Sequence, residues 1–268
     1  MFLPFGDAPN PRRFRPWVTW CLIALNVGIY LVVSLPLSFT EADPRDPLLR
    51  EYLRLIARSL PPGISLREAM QQVSAYDLFV LRWGFKPAAP EVRDLIASLF
   101  LHGGLAHLAG NMLFLWIYGD NVEQRLGRLG YLAAYLGTGV LATVAFALFN
   151  RHSLMPLVGA SGAISGVLGL YFVLFPRNVV KVFVFLFPFV MTTVLLPARL
   201  VLLGFLVLDN LLPVFLGAES GVAYGAHIGG FVAGWGIARI GEALAQRTTW
   251  RWPGDRRMGS FWPWQEED

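Results

Sequence analysis

Charge is what this sequence has least of. Asp, Glu, Lys and Arg together make up 15% of its 268 residues, apolar residues make up 55%, and the mean hydropathy is +0.53. An ordinary soluble domain carries about 25% charged residues, so water is not the main solvent of this chain. Cysteine is nearly absent as well. Cys21 stands alone inside an apolar run, which excludes an intrachain disulfide framework and any Cys/His metal spacing. Neither a metal nor another cofactor is expected. No small-residue cleavage site follows that first run, and Asn26 and Tyr30 interrupt it, so it reads as a retained helix and not a signal peptide. The formal charge of +4 does not point to nucleic acid. The basic residues flank apolar runs instead of forming one face, which makes them topology signals and the lipid bilayer the expected partner.

What the sequence does have is five apolar stretches of spanning length and a shorter one that opens on a Gly/Ser loop. They predict an all-α polytopic membrane protein, a compact bundle of six transmembrane helices with cytoplasmic N- and C-termini. Arg12, Arg13 and Arg15 precede Trp17 and place segment 1–16 inside, with the first transmembrane helix at 17–35. Residues 36–98 hold eight Lys/Arg and eight Asp/Glu, the balance of a loop on the outer side. Within it Leu49, Leu53, Ile56 and Leu60 recur at helical spacing. A capping box, Ser65-Leu66-Arg67-Glu68, precedes Met70, Val73, Tyr76 and Val80, so two short amphipathic helices are expected on the membrane surface.

The remaining spans fall in a core at 99–241, near 103–119, 130–149, 161–175, 200–215 and 222–240. Segment 182–197 is apolar enough to be counted as a further span. However, Arg177, Lys181 and Arg199 flank it at both ends, Pro188 and Pro197 break it, and it is rich in Val, Phe and Thr. It is expected to be a cytoplasmic interfacial hairpin. A cytoplasmic tail follows at 242–268, with Arg247, Arg251, Arg256 and Arg257, and with Trp250, Trp252, Trp262 and Trp264 set between prolines and charges.

In this topology spans two, four and six all enter from the outside, and the polar residues gather at that end. Span two brings His102, His107 and Asn111, span four brings Ser161 within Gly159-Ala160-Ser161-Gly162, and span six brings His227 within Gly225-Ala226-His227-Ile228-Gly229. A serine hydroxyl needs a neighbouring base to take its proton, and a neutral imidazole suits that role near pH 7. The backbone N–H of Ser161 and of Ala160, at a helix start, would face a developing oxyanion, and His107 and Asn111 would add side-chain donors. Repeats of Gly162/Gly166, Gly225/Gly229 and Gly230/Gly234 allow spans four and six to approach closely. At about 1.5 Å per residue, span four reaches about 22 Å across roughly 30 Å of hydrocarbon, so Ser161 should lie in a depression below the surface. Each residue also has a plainer reading. An intramembrane serine commonly bonds back to its own helix, glycines pack helices, and His107 and Asn111 can simply bridge helices. The joint pattern is what favours a site.

These motifs resemble the rhomboid family of intramembrane serine proteases over about Trp83 to Ile240. The segment from His102 to Met112 resembles the family's second-helix motif, Glu123-Gln124-Arg125 its E-x-R loop, Gly159-Ala160-Ser161-Gly162 its G-x-S-G nucleophile motif, and Gly225 to Gly230 its base motif. The resemblance implies a rhomboid-like bundle with a Ser161/His227 dyad and an oxyanion site including His107 and Asn111. It also implies transmembrane protein substrates whose helices are easily unwound. Two features depart from the pattern. Ser165 stands where an aromatic often packs on the histidine, so Ile164 or another apolar side chain would have to hold the ring, and the insertion at 36–98 is unlike the usual first loop. Asp209 is the remaining intramembrane charge and could in principle orient His227, but the resemblance implies a dyad, and Asp209 is expected to face water near the outer end instead. Glu123 and Arg125 are expected to form a structural ion pair. A rhomboid-like pseudoprotease that binds membrane clients ranks second, and a transporter third, because the spans carry no paired ionisable residues. The expected location is a prokaryotic inner membrane, with the site opening to the extracytoplasmic side.

Overall fold

The structure, a computed structural model, describes residues 2–10, 14–57, 60, 63, 65–186, 190–217, 222–248 and 250–254. Arg12, Arg13, Pro188, Arg256, Arg257, Trp262 and Trp264 lie outside the described residues. In chain order the helices are α1 (Trp17–Ser38), α2 (Pro47–Ile56), α3 (Leu66–Gln72), α4 (Ala75–Trp83) and α5 (Val92–Phe100). They continue with α6 (Leu105–Leu126), α7 (Arg128–Phe149), α8 (Ser161–Leu174), α9 (Ala198–Phe215) and α10 (Tyr224–Arg247). By length and composition α1, α7 and α9 are able to cross a bilayer, and α5 with α6 form a pair bent by 89° that would add a fourth span. Exposed Leu25, Leu31 and Val32 on α1 and Leu203 and Leu208 on α9 suit acyl chains better than water. This is a helical membrane bundle.

α8 is its axis. Every residue from Gly162 to Tyr171 is buried, as a helix that is apolar all round must be. α6, α7 and α10 pack around it. α6 and α7 meet at one residue, Gly127, whose φ of 72° is the left-handed conformation that lets the chain reverse in so short a link.

Two helices contain a widened π turn, Tyr30–Ser34 in α1 and Val207–Leu211 in α9. A proline follows each closely, Pro36 and Pro213. Proline has no N–H to give the fourth residue back and its ring crowds that carbonyl, so an extra residue in the preceding turn relieves the clash without ending the helix.

The expectation of an all-α chain fails on the side of the bundle away from Ser161. β1 (Phe2–Ala8), β2 (Val179–Leu186) and β3 (Val190–Pro197) form an antiparallel sheet in the order β1-β2-β3. Segment 182–197 is thus the outer part of a β-hairpin, with Val179 opposite Pro197 and Leu186 opposite Val190. Val180, Val182 and Val184 are buried while Lys181 is exposed, the alternation of a half-buried strand. Segment 1–16 is not a plain tail, because its first residues add a strand to the free edge of the hairpin, with Phe2 opposite Val184 and Ala8 opposite Val179.

The insertion at 36–98 also differs from expectation. The capping box at Ser65 and Glu68 is present, but Ser74 and Asp77 form a second one that starts a new helix, α4. One expected helix is therefore two. Leu49 and Leu53 of α2 are buried against Ala69, Val73 and Leu78 in a small core of their own. Each such leucine is worth about 1.5–3 kcal/mol of burial, so the apolar stripe of α2 is used inside the insertion and not on a lipid surface.

Candidate functional site

The insertion holds the residues that lead into α8. Phe85 and Leu157 exchange backbone hydrogen bonds of 3.0 and 2.8 Å, and the Gly159 N–H donates to the Ser98 carbonyl at 2.8 Å. The Tyr76 hydroxyl donates to the His102 carbonyl at 2.7 Å, which fastens α4 to the approach of α6. The loop before Ser161 is thereby held in place by the insertion. Gly159 turns the chain with φ of 127°. A Cβ there would lie 2.8 Å from Cε1 and Nε2 of His107 and 3.6 Å from Ser161 Oγ. The backbone conformation and the lack of room both require glycine, and the imidazole of His107 sits beside the serine.

Ala160 is fully buried at the N-cap, and Ser161 is the first residue of α8. The first N–H groups of a helix have no partner within it. Opposite, His227 lies in the first turn of α10, with Nε2 2.8 Å from Ser161 Oγ and Nδ1 2.7 Å from Oδ1 of Asn210. The two helices come this close because Gly230 lies against the carbonyl of Gly162 and Gly234 against that of Gly166, leaving no space for a Cβ at either position. A serine and an imidazole in this relation are able to pass a proton from Oγ to Nε2.

The sequence reading missed two groups around the His227 ring. Phe205 of α9, with its ring centroid 6.2 Å from that of His227, supplies an aromatic neighbour from another helix. Ser165, one turn after Ser161, is instead buried at 1% exposure in the helix interface. Asn210, also on α9, lies beside the ring, while the neighbouring Asp209 is exposed and takes no part. Pro213 is the sequence signal for this, since it marks the π turn that carries Asn210.

On α6, Asn111 is buried and its Nδ2 has no hydrogen-bond partner among the described residues. The ring of His107 meets that of His102 edge on, with centroids 5.1 Å apart. His102 is fully enclosed, and both its ring nitrogens lack partners among the described residues. It supports His107 through packing.

Glu123 and Arg125 do not pair with each other. Glu123 is fully buried and accepts from the N–H groups of Val18 and Thr19 at 3.0 and 2.8 Å and from the Thr19 hydroxyl at 2.8 Å. It caps the start of α1. Arg125 reaches Glu242 of α10 at 3.2 Å. A motif spacing of two residues on a helix points side chains apart, and each found a partner on a different helix. Among the described residues no group of three or more His, Cys, Asp or Glu is placed to hold a metal ion.

Residues 89–242, more than half of the chain, match the Rhomboid domain. The chain belongs to the rhomboid family. RHOMBOID-like protein 4 of Arabidopsis thaliana is 33% identical over 252 residues, covering 91% of this chain and 57% of that protein. RHOMBOID-like protein 6, mitochondrial, of the same plant is 30% identical over 163 residues, covering 59% of this chain and 51% of that protein. Rhomboid protease GluP of Bacillus subtilis is 43% identical over 75 residues, 28% of this chain and 14% of that protein. This rhomboid thus spans about half the length of the two plant relatives. It is an integral membrane protein. The relatives come from a plant and from a bacterium, one of them mitochondrial by name, so the expectation of a prokaryotic inner membrane has no support from them.

Proposed function

We propose that this rhomboid is an intramembrane serine endopeptidase that cuts transmembrane segments of other membrane proteins. The observation that carries the reading is the 2.8 Å approach of His227 Nε2 to Ser161 Oγ, between residues 66 positions apart whose helices touch through glycine. Ser161 Oγ attacks the scissile carbonyl as His227 takes its proton, and the imidazolium then protonates the leaving amine. A water deprotonated by His227 releases the acyl group and restores the serine. The oxyanion is received by the Ser161 N–H, the Ala160 N–H, the Asn111 amide and the His107 ring. At about 1.5 Å per residue the 14 residues of α8 reach about 21 Å, which sets Ser161 below the surface of a bilayer roughly 30 Å thick. A substrate segment must therefore unwind to present its peptide bond, which favours helices that are easily destabilised. In this reading six helices cross the membrane, α1 and α6 to α10, with both termini and the sheet in the cytoplasm and the site opening to the other side.

The test is labelling of purified protein with a fluorophosphonate, alongside cleavage of a model transmembrane substrate. The parent should label and cleave, and Ser161→Ala and His227→Ala should each do neither while staying folded in detergent. Folded parent protein that neither labels nor cleaves would leave a client-binding pseudoprotease as the better reading.

A further inference from the structure

Asn210 is 1% exposed and makes two hydrogen bonds with opposite ends of its amide. Nδ2 donates to the Phe205 carbonyl at 2.7 Å, and Oδ1 lies 2.7 Å from His227 Nδ1. A backbone carbonyl only accepts, so Phe205 dictates which end of the amide is the NH2. The end facing His227 is then the oxygen, which also only accepts. Nδ1 must therefore carry the proton in that bond, and in a neutral imidazole the free lone pair falls to Nε2. Nε2 is the nitrogen beside Ser161 Oγ.

From these contacts we propose that Asn210 is a positioning residue that fixes the tautomer and orientation of His227. The backbone of α9 makes this possible. At about 3.6 residues per turn an unbroken α-helix brings Asp209 onto the buried face that holds Ala198 and Leu202. The π turn Val207–Leu211 inserts one residue, which turns Asn210 inward and leaves Asp209 exposed. An amide can direct the proton on Nδ1 without placing a carboxylate inside the membrane, where a charge is costly. Phe205 contributes twice, its carbonyl orienting the amide and its ring lying beside the imidazole.

The effect on rate rests on the protease reading, whereas the effect on the ring does not. Two measurements separate them. Protein labelled with 15N-histidine, with His227 signals assigned by their loss in His227→Gln, reports which ring nitrogen is protonated. The parent should show the Nδ1–H form, and Asn210→Leu and Asn210→Ala should lose that preference. In the cleavage assay the same variants should lower kcat by about 100-fold, the lower end of general-base effects because the base itself remains, with KM and melting temperature near those of the parent. A parent with the proton on Nε2, or variants that keep the Nδ1–H form, would overturn the proposal. So would a rate loss that only follows loss of folded protein. If neither variant folds, the parent spectrum alone decides. If the parent cleaves nothing but its tautomer still shifts on substitution, the positioning role stands and the protease reading fails.

Discussion

Gly230 of α10 lies against the carbonyl oxygen of Gly162 on α8, backbone to backbone. This contact lies next to Ser161 on α8 and three residues after His227 on α10, and it sets how far apart the two helices stand. Gly230→Ala would put a methyl where that carbonyl is. The helices must separate, at a cost of about 1–3 kcal/mol for overpacking, and a shift of about 1 Å at a reacting pair can cost about 100-fold in rate. Cleavage should fall by about that factor, and the melting temperature should drop. Gly236→Ala, where a Cβ meets nothing within 4 Å, is the control and should keep both. Equal behaviour of the two variants would mean that glycine contact does not set the site.

Asn111 separates two readings of α6. If its amide tied helices together, its loss would lower the melting temperature. Its Nδ2 is buried with no partner among the described residues, so removing it breaks no hydrogen bond and relieves an unsatisfied donor. Asn111→Ala should therefore lower kcat by about 10- to 1000-fold, as in other oxyanion-site deletions, with stability little changed. A melting shift without a rate defect would take Asn111 out of the site. His107→Ala should follow the same pattern with some added destabilisation, because losing the ring leaves a cavity beside Gly159.

Asp7 predicts a pH response of the sheet. Burial pushes its carboxyl up to about 6 from 3.8, against the hydrogen bond from Tyr171 and the charge of Lys181, which pull it down. Between those two values the folded chain holds a proton that the unfolded chain has released. Stability from this group is thus highest below about pH 4, falls as pH rises to about 6, and is level above that. Asp120 and Tyr118 also border the cluster, so the comparison must be between parent and variant. Asp7→Asn should melt about 2–6 °C higher than the parent at pH 7.5 and lose that advantage near pH 4. An equal difference at both pH values would show that folding does not raise the Asp7 carboxyl above its ordinary value.

The hairpin decides the topology. Were Val179–Pro197 to cross the membrane, Ser161 and His227 would enter from opposite faces. In a Cys21→Ala background, Lys181→Cys and Arg199→Cys should both be shielded from an impermeant thiol reagent added outside. Labelling of one and not the other from that side would mean the span count is wrong.

What could be read in advance was whatever local spacing encodes. The apolar runs, the glycine repeats and the Ser65 capping box are written in consecutive residues, and so are the Gly159-to-Gly162 and Gly225-to-Gly229 motifs whose Ser161 and His227 lie 2.8 Å apart. What was hidden depended on distant partners or on a change of helical phase. β1 is a short run broken by Pro4 and Gly6, and it becomes a strand only because an edge more than 170 residues away is waiting for it. Asn210 is hidden in the sequence because a regular helix would turn Asp209 to the buried face, and only the π turn ahead of Pro213 reverses them. Glu123 was given the nearest opposite charge in sequence, while the groups that needed it were the unpaired N–H groups of Val18 and Thr19.

β2 has a partner on each side only while residues 2–8 are docked. Without them Val179–Leu186 would present a regular row of unpaired N–H and C=O groups, which is a template for another chain. With them the outermost strand on that side carries Pro4, which has no N–H, and a bulge between Pro4 and Gly6 that spoils the register. The N-terminal strand exchanges an edge that invites self-association for one that resists it, so trimming those residues would be felt first as clustering of this protein in its membrane.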